Sequence, residues 1–92
     1  MMAKAKRYII RGRVQGVGYR YFAQGVAERL GVSGFVRNLP SGDVEVFAEA
    51  DSGTLELFKQ ELEQGPRMSR VTEIIESDVE SSGLYSSFQI RG

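Results

Sequence analysis

The stretch RYIIRGRVQGVGYRYFAQGVAERL, residues 7–30, decides the fold because the spacing of its apolar side chains changes partway along. Over residues 7–14 apolar and polar positions alternate, which is typical of a strand with one buried face and its arginines on the open face. Residues 15–20 are a glycine-punctuated turn. Helical spacing follows at Phe22, Ala23, Val26, Ala27 and Leu30. We therefore predict a strand, a turn and a helix that Gly31 ends.

Downstream, the sequence predicts a hairpin and then a second helix. Residues 32–38 and 44–49 are β-rich runs, and the turn residues Pro40 and Gly42 lie between them. The second helix has a candidate cap, an apolar stripe and a stop signal: Asp51 or Ser52, then Leu55, Phe58 and Leu62, then Gly65 and Pro66.

Two strands complete the predicted order, over residues 71–79 and 87–91, with a polar loop over 80–86 between them. The order indicates an α+β, ferredoxin-like (βαββαβ) two-layer sandwich. Its sheet is mainly antiparallel, with two helices on one face and a short C-terminal strand. The length of 92 residues predicts a single domain over 1–92, with residues 1–6 as a loose N-terminal extension.

This topology has a consequence for function. The first strand, first helix and second strand form a right-handed crossover, so the two strands run parallel and end at the same edge of the sheet. We therefore expect the loop at residues 15–20 and Asn38 to meet at that edge.

The composition excludes several classes of protein. Twelve Lys and Arg balance twelve Asp and Glu, so there is no strong field to attract nucleic acid or an anionic membrane. The chain has no cysteine for a disulfide or thiolate and no histidine as base or metal ligand. No apolar run reaches the length of a signal peptide or membrane span. The expectation is a cytoplasmic monomer.

The loop after the first strand has the features of an anion site. Gly16 and Gly18 permit positive φ, which brings successive backbone amides together beside a helix N-terminus. Arg20, in the first helical turn, adds a planar fork suited to phosphate oxygens. From these residues alone, an ordinary turn with a solvated arginine remains the alternative. The sequence lacks the nucleotide- and dinucleotide-binding glycine patterns.

Two segments resemble the signatures of the acylphosphatases: GRVQGVGYR, residues 12–20, and GFVRNLPSGDVEV, residues 34–46. The resemblance continues through Gly65-Pro66 to the closing segment FQIR, residues 88–91, and so covers nearly the whole chain from about Tyr8.

This resemblance implies hydrolysis of acyl phosphates with no metal and no cofactor. It implies that main-chain amides of the loop bind phosphate, that Arg20 is the essential phosphate ligand and that Asn38 orients the attacking water. The loop residues concerned are Gln15, Gly16, Val17, Gly18, Tyr19 and Arg20. The chain departs from the family at Tyr19, where phenylalanine is usual, at Phe35, where tryptophan is common, and at its Arg91-Gly92 ending.

The absence of histidine and cysteine agrees with this chemistry. An acyl phosphate expels a carboxylate whose conjugate acid has a pKa of about 4, so it leaves at neutral pH without a protonating residue. A phosphate monoester would expel an alkoxide, which normally requires a general acid or a metal. The sequence therefore disfavours monoester hydrolysis.

Two other functions stay open at this point. One is a noncatalytic anion- or carbamoyl-phosphate-binding module. The other is RNA binding by the stripe of Arg7, Arg11 and Arg13, which the zero net charge and the opposite parity of Tyr8 disfavour. We expect those arginines to pair with Glu45, Glu49 or Glu73 across the sheet.

Overall fold

The computed structural model describes residues 3–92 and confirms the predicted fold class. The strands are β1 Lys4–Arg13, β2 Ser33–Asn38, β3 Val44–Ala50, β4 Arg70–Val79 and β5 Phe88–Arg91. The helices are α1 Tyr19–Leu30 and α2 Ser52–Gln64. Neither helix in this part of the chain is long and apolar enough to cross a bilayer.

The strands form one sheet in the order β4-β1-β3-β2-β5. Strand β3 pairs antiparallel with both β1 and β2, so these two strands run parallel on either side of it. Strand β5 is parallel to β2, and β4 is antiparallel to β1. Both β1 and β2 therefore end at the same edge, which confirms the expected juxtaposition of their C-terminal ends.

The core lies between one face of the sheet and the two helices. The largest side chains in it are Tyr8, Tyr19, Phe58, Ile10, Leu55 and Leu62. The helix ends follow the sequence signals: Gly31 closes α1 with a positive φ, and Asp51 caps α2 by accepting a hydrogen bond from the Thr54 amide.

The prediction of a loose extension over residues 1–6 is wrong for residues 4–6. These residues are the first part of β1, where Ala5 is buried between Glu49 of β3 and Val79 of β4. Lys6 is held there by ion pairs with Glu76 and Asp78. Pairing with two neighbouring strands fixes this segment. Met1 and Met2 lie outside the described residues.

The expected pairing of the arginine stripe is confirmed in part. Arg7 binds Glu45 at 2.6 Å, and Arg11 lies 3.7 Å from both Asp43 and Glu73. Glu49 has different partners. Its buried carboxylate accepts hydrogen bonds from the 81–83 segment of the β4–β5 loop, because that loop folds over the end of β3.

Glu45 links three neighbouring strands on the open face of the sheet. Its side chain is only 6% exposed and accepts hydrogen bonds from Arg7 of β1 and Arg37 of β2. Burial alone raises the pKa of Glu45, but the two guanidinium groups together outweigh it and hold the pKa below the ordinary value of 4.5.

Glu45→Gln is expected to lower the free energy of unfolding at pH 7. The free energy of unfolding of the variant should also fall less steeply than that of the wild type as the pH is lowered. Because the folded-state pKa is depressed, the ionised carboxylate stabilises the fold above the unfolded pKa, and this contribution is lost as pH falls through the folded pKa. The arginines are about half exposed, so we expect a loss of about 1–2 kcal/mol. Thermal unfolding between pH 3 and 7 measures it. The exposed Glu63→Gln is the control, and equal behaviour of both variants would contradict the assignment.

Candidate active site

The loop between β1 and α1 has the backbone geometry of an anion cradle. Gly16 and Gly18 have φ of 75° and 79°, as the sequence predicts. A Cβ built on either glycine meets nothing within 4 Å, so there is room for a side chain. Glycine is favoured here because the backbone has a positive φ. Gly18 is the N-cap of α1, with no side-chain cap and no acidic residue in the first turn. The first amides of α1 thus lack intrahelical partners and a competing carboxylate.

Arg20 and Asn38 line one small cavity beside this loop. The cavity has a volume of about 110 Å³, and its lining comes from the loop, the start of α1 and the end of β2: Val14, Gly16, Gly18, Tyr19, Arg20, Tyr21 and Asn38. One water occupies about 30 Å³ in the liquid, so the cavity has room for on the order of three to four waters or one small oxyanion. The two predicted side chains are therefore neighbours although 18 positions separate them in the sequence.

The Arg20 and Asn38 side chains are both half-buried, and neither is paired with another side chain of the described residues. Within residues 3–92, no ion pair involves Arg20 and no side-chain hydrogen bond involves Asn38. A bound oxyanion would meet a guanidinium with no carboxylate to neutralise it and a carboxamide with free donors and acceptor.

Two of the predicted loop residues do not line the cavity. Val17 packs against the hydrophobic core. Gln15 turns its side chain toward the β2–β3 turn, where its amide donates to the carbonyl oxygens of Leu39 and Asp43 at 2.8 Å each. The sequence places Gln15 in the loop but carries no signal for this side-chain contact.

Tyr19 is buried and has a role that the sequence did not indicate. Its hydroxyl donates to the Leu62 carbonyl oxygen of α2 at 2.6 Å, and burial raises the pKa of this phenol. Phenylalanine could not make this bond, so the departure at this position ties the start of α1 to α2. The neighbouring Tyr21 is 73% exposed and lines the cavity mouth.

A larger hollow of about 520 Å³ lies at the opposite end of β1 and is less suited to an anion. Its lining includes Lys4, Lys6, Glu56 and Asp78, which mix both charges, and Lys6 is already paired with acidic side chains. The smaller cavity is therefore the candidate site.

Comparison with known proteins points to one family. The acylphosphatase family model matches residues 6–90. An acylphosphatase of Thermus thermophilus is 53% identical over 76 residues, which are 83% of this chain and 86% of that protein. The crystal structure of acylphosphatase from Bacillus subtilis is similar with a TM-score of 0.93 and 36% identity, covering 99% of this chain and 100% of that one.

A third similarity is to a much longer protein. Full-length HypF, solved in its phosphate- and nucleotide-bound form, has a TM-score of 0.91 and 33% identity to this chain. The match covers 99% of this chain but 12% of HypF. The same fold therefore occurs both as a short chain and as a small part of a longer one.

Proposed function

The chain belongs to the acylphosphatase family, and from that membership we propose which residues carry out its reaction. The enzyme hydrolyses acyl phosphates to a carboxylate and inorganic phosphate. In our proposal those amides of the 15–20 loop that border the cavity and the Arg20 guanidinium bind the phosphoryl group, and Asn38 orients the attacking water. The observation that carries this assignment is the cavity that Arg20 and Asn38 share beside an uncapped helix N-terminus.

Charge stabilisation is the first part of the proposed mechanism. The phosphoryl oxygens carry the negative charge in both the ground state and the transition state. Backbone amides of the loop and the two-pronged guanidinium of Arg20 are held in place before the substrate arrives, so they do not have to reorganise during the reaction. Little further stabilisation of the departing group is required, because the carboxylate is a weak base.

Placement of the water is the second part. The side-chain carbonyl of Asn38 accepts a hydrogen bond from the water, whose oxygen then attacks phosphorus while the bond to the acyl oxygen breaks. A carboxamide cannot act as a base at neutral pH, so the water proton passes to a phosphoryl oxygen of the substrate. The products are the carboxylate and inorganic phosphate.

Phosphate release from acetyl phosphate and benzoyl phosphate in excess chelator tests the function. We expect turnover that the chelator leaves unchanged, because the leaving group needs neither a metal nor a protonating residue. Glycerol phosphate, a monoester with an alkoxide leaving group, is the matched control substrate, and we expect no release from it. Loss of turnover in chelator would contradict the metal-free mechanism.

The second candidate function is a noncatalytic anion-binding module, including one for carbamoyl phosphate. The similarity to a small part of HypF favours keeping it, because there the same fold is one part of a much longer chain. Binding of acetyl phosphate without phosphate release would support the module and contradict the enzyme.

We further propose that residues 1–92 act as one domain and as a monomer in the cytoplasm, with a small acyl phosphate as substrate and no nucleic-acid or membrane partner. The balanced charge supports the absence of polyanion binding. The pairing of Arg7 and Arg11 with carboxylates supports it too. The lack of cysteine means that folding requires no oxidising compartment.

A further inference from the structure

We propose that Gln15 is a positioning residue that sets the distance between the phosphoryl group and the attacking water. Its side chain ties the phosphate-binding loop to the β2–β3 turn that follows Asn38. The inference rests on the proposed roles of Arg20 and Asn38, because it concerns how the structure keeps these two groups in register.

The contacts of Gln15 bridge the two halves of the site. The single side-chain nitrogen of Gln15 donates to the Leu39 and Asp43 carbonyl oxygens at 2.8 Å each, which uses both of its hydrogens. In the chain, Gln15 directly precedes Gly16 of the anion cradle, and Leu39 directly follows Asn38. One amide group therefore connects the segments that supply the two sides of the cavity.

The two acceptor carbonyls also close the β2–β3 turn. The Leu39 amide donates to the Asp43 oxygen at 2.9 Å, and the Gly42 amide donates to the Leu39 oxygen at 3.1 Å. The last register pair before this turn joins Asn38 to Val44. Gln15 thus fixes the turn at the point where the backbone of Asn38 leaves β2.

Within residues 3–92, no other side-chain hydrogen bond joins the segment 14–20 to the segment 38–43. The phosphoryl group is held by one segment and the water by the other, so a change in their separation alters the line of attack. A misplacement of about 1 Å can lower a rate by ~10²-fold. Loss of both Gln15 bonds is therefore expected to affect turnover more than phosphate binding.

Gln15→Met tests the inference, because methionine has a similar size and shape but no donor. We expect kcat for acetyl phosphate to fall ~10-fold, and the inhibition constant of inorganic phosphate to stay within about twofold. Binding of phosphate should survive because the loop amides and Arg20 are unchanged. Both carbonyls keep a backbone partner, so the variant is expected to fold.

Gln24→Met is the matched control. Gln24 also donates from its side chain to a backbone carbonyl, that of Phe88 at 3.3 Å, but it does not line the cavity. We expect its kcat to equal that of the wild type. In an Asn38→Ala background, adding Gln15→Met should cost less than about twofold in kcat, because the group whose position it controls is already absent.

A Gln15→Met protein with unchanged kcat would overturn the inference, as would equal losses of kcat and phosphate affinity, which would make Gln15 a binding residue. A full ~10-fold loss in the Asn38→Ala background would also overturn it, since the effect would not pass through Asn38. If Gln15→Met fails to fold, Gln15→Asn, one methylene shorter, takes its place with the same expectations. Wild-type protein without phosphate release would instead contradict the proposed function.

Discussion

Arg20→Lys is expected to lower kcat/KM for acetyl phosphate by ~10³-fold or more, the scale on which an arginine stabilises a transferring phosphoryl group. Lysine keeps the charge but replaces the planar fork with a compact ammonium that cannot hold two phosphoryl oxygens at once. No carboxylate of residues 3–92 pairs with Arg20, so its whole donor set is available to the ligand. Competitive inhibition by inorganic phosphate should disappear in the same variant.

Steady-state kinetics at several phosphate concentrations measure both effects. Arg29→Lys is the matched control, because Arg29 lies on the same helix but binds Glu61 at 3.2 Å on the exposed side. It should keep wild-type turnover and wild-type phosphate inhibition. An Arg20→Lys enzyme that retained most of its activity would show that the two-pronged guanidinium contact is not required for turnover.

The elements that sequence reasoning located well are those whose signals are local. Apolar periodicity and end signals place α1 and α2, since Gly31 and Asp51 act at the positions that their backbone preferences suggest. The sequence does not reveal the start of β1, because Lys4 and Lys6 look like a solvated tail. They become part of a strand only because β3 and β4 supply partners on both sides, which the local sequence does not reveal.

The candidate site divides in the same way. The glycines at positions 16 and 18 indicate the anion-binding loop. The right-handed crossover of β1, α1 and β2 places Asn38 at the same edge of the sheet as that loop. The side-chain bonds of Gln15, Tyr19 and Glu49 were not predicted, because each reaches a backbone group or loop far along the chain. Such contacts depend on the final packing of the elements, which periodicity and spacing do not encode.

Asn38→Ala is expected to lower kcat by ~10²-fold or more, the effect of removing one positioned polar group from a transition state. Phosphate inhibition should change little, because the loop and Arg20 remain. The fold should also persist, since the Asn38 side chain makes no hydrogen bond within residues 3–92 and the backbone pairing with Val44 does not require it. Turnover and thermal unfolding, measured on the same sample, separate lost catalysis from lost structure.

Ser41→Ala, in the same turn, is the control for Asn38→Ala. Ser41 is exposed, and within residues 3–92 its hydroxyl bonds only to nearby Asp43, so its loss should leave kcat unchanged. Asn38→Asp is informative in a different way. It keeps a side-chain acceptor for the water but sets a carboxylate beside the phosphoryl site, so KM and the phosphate inhibition constant should both rise through charge repulsion. An Asn38→Ala enzyme with most of its turnover would remove this side chain from the mechanism and leave the water to be oriented by the loop amides or the substrate itself.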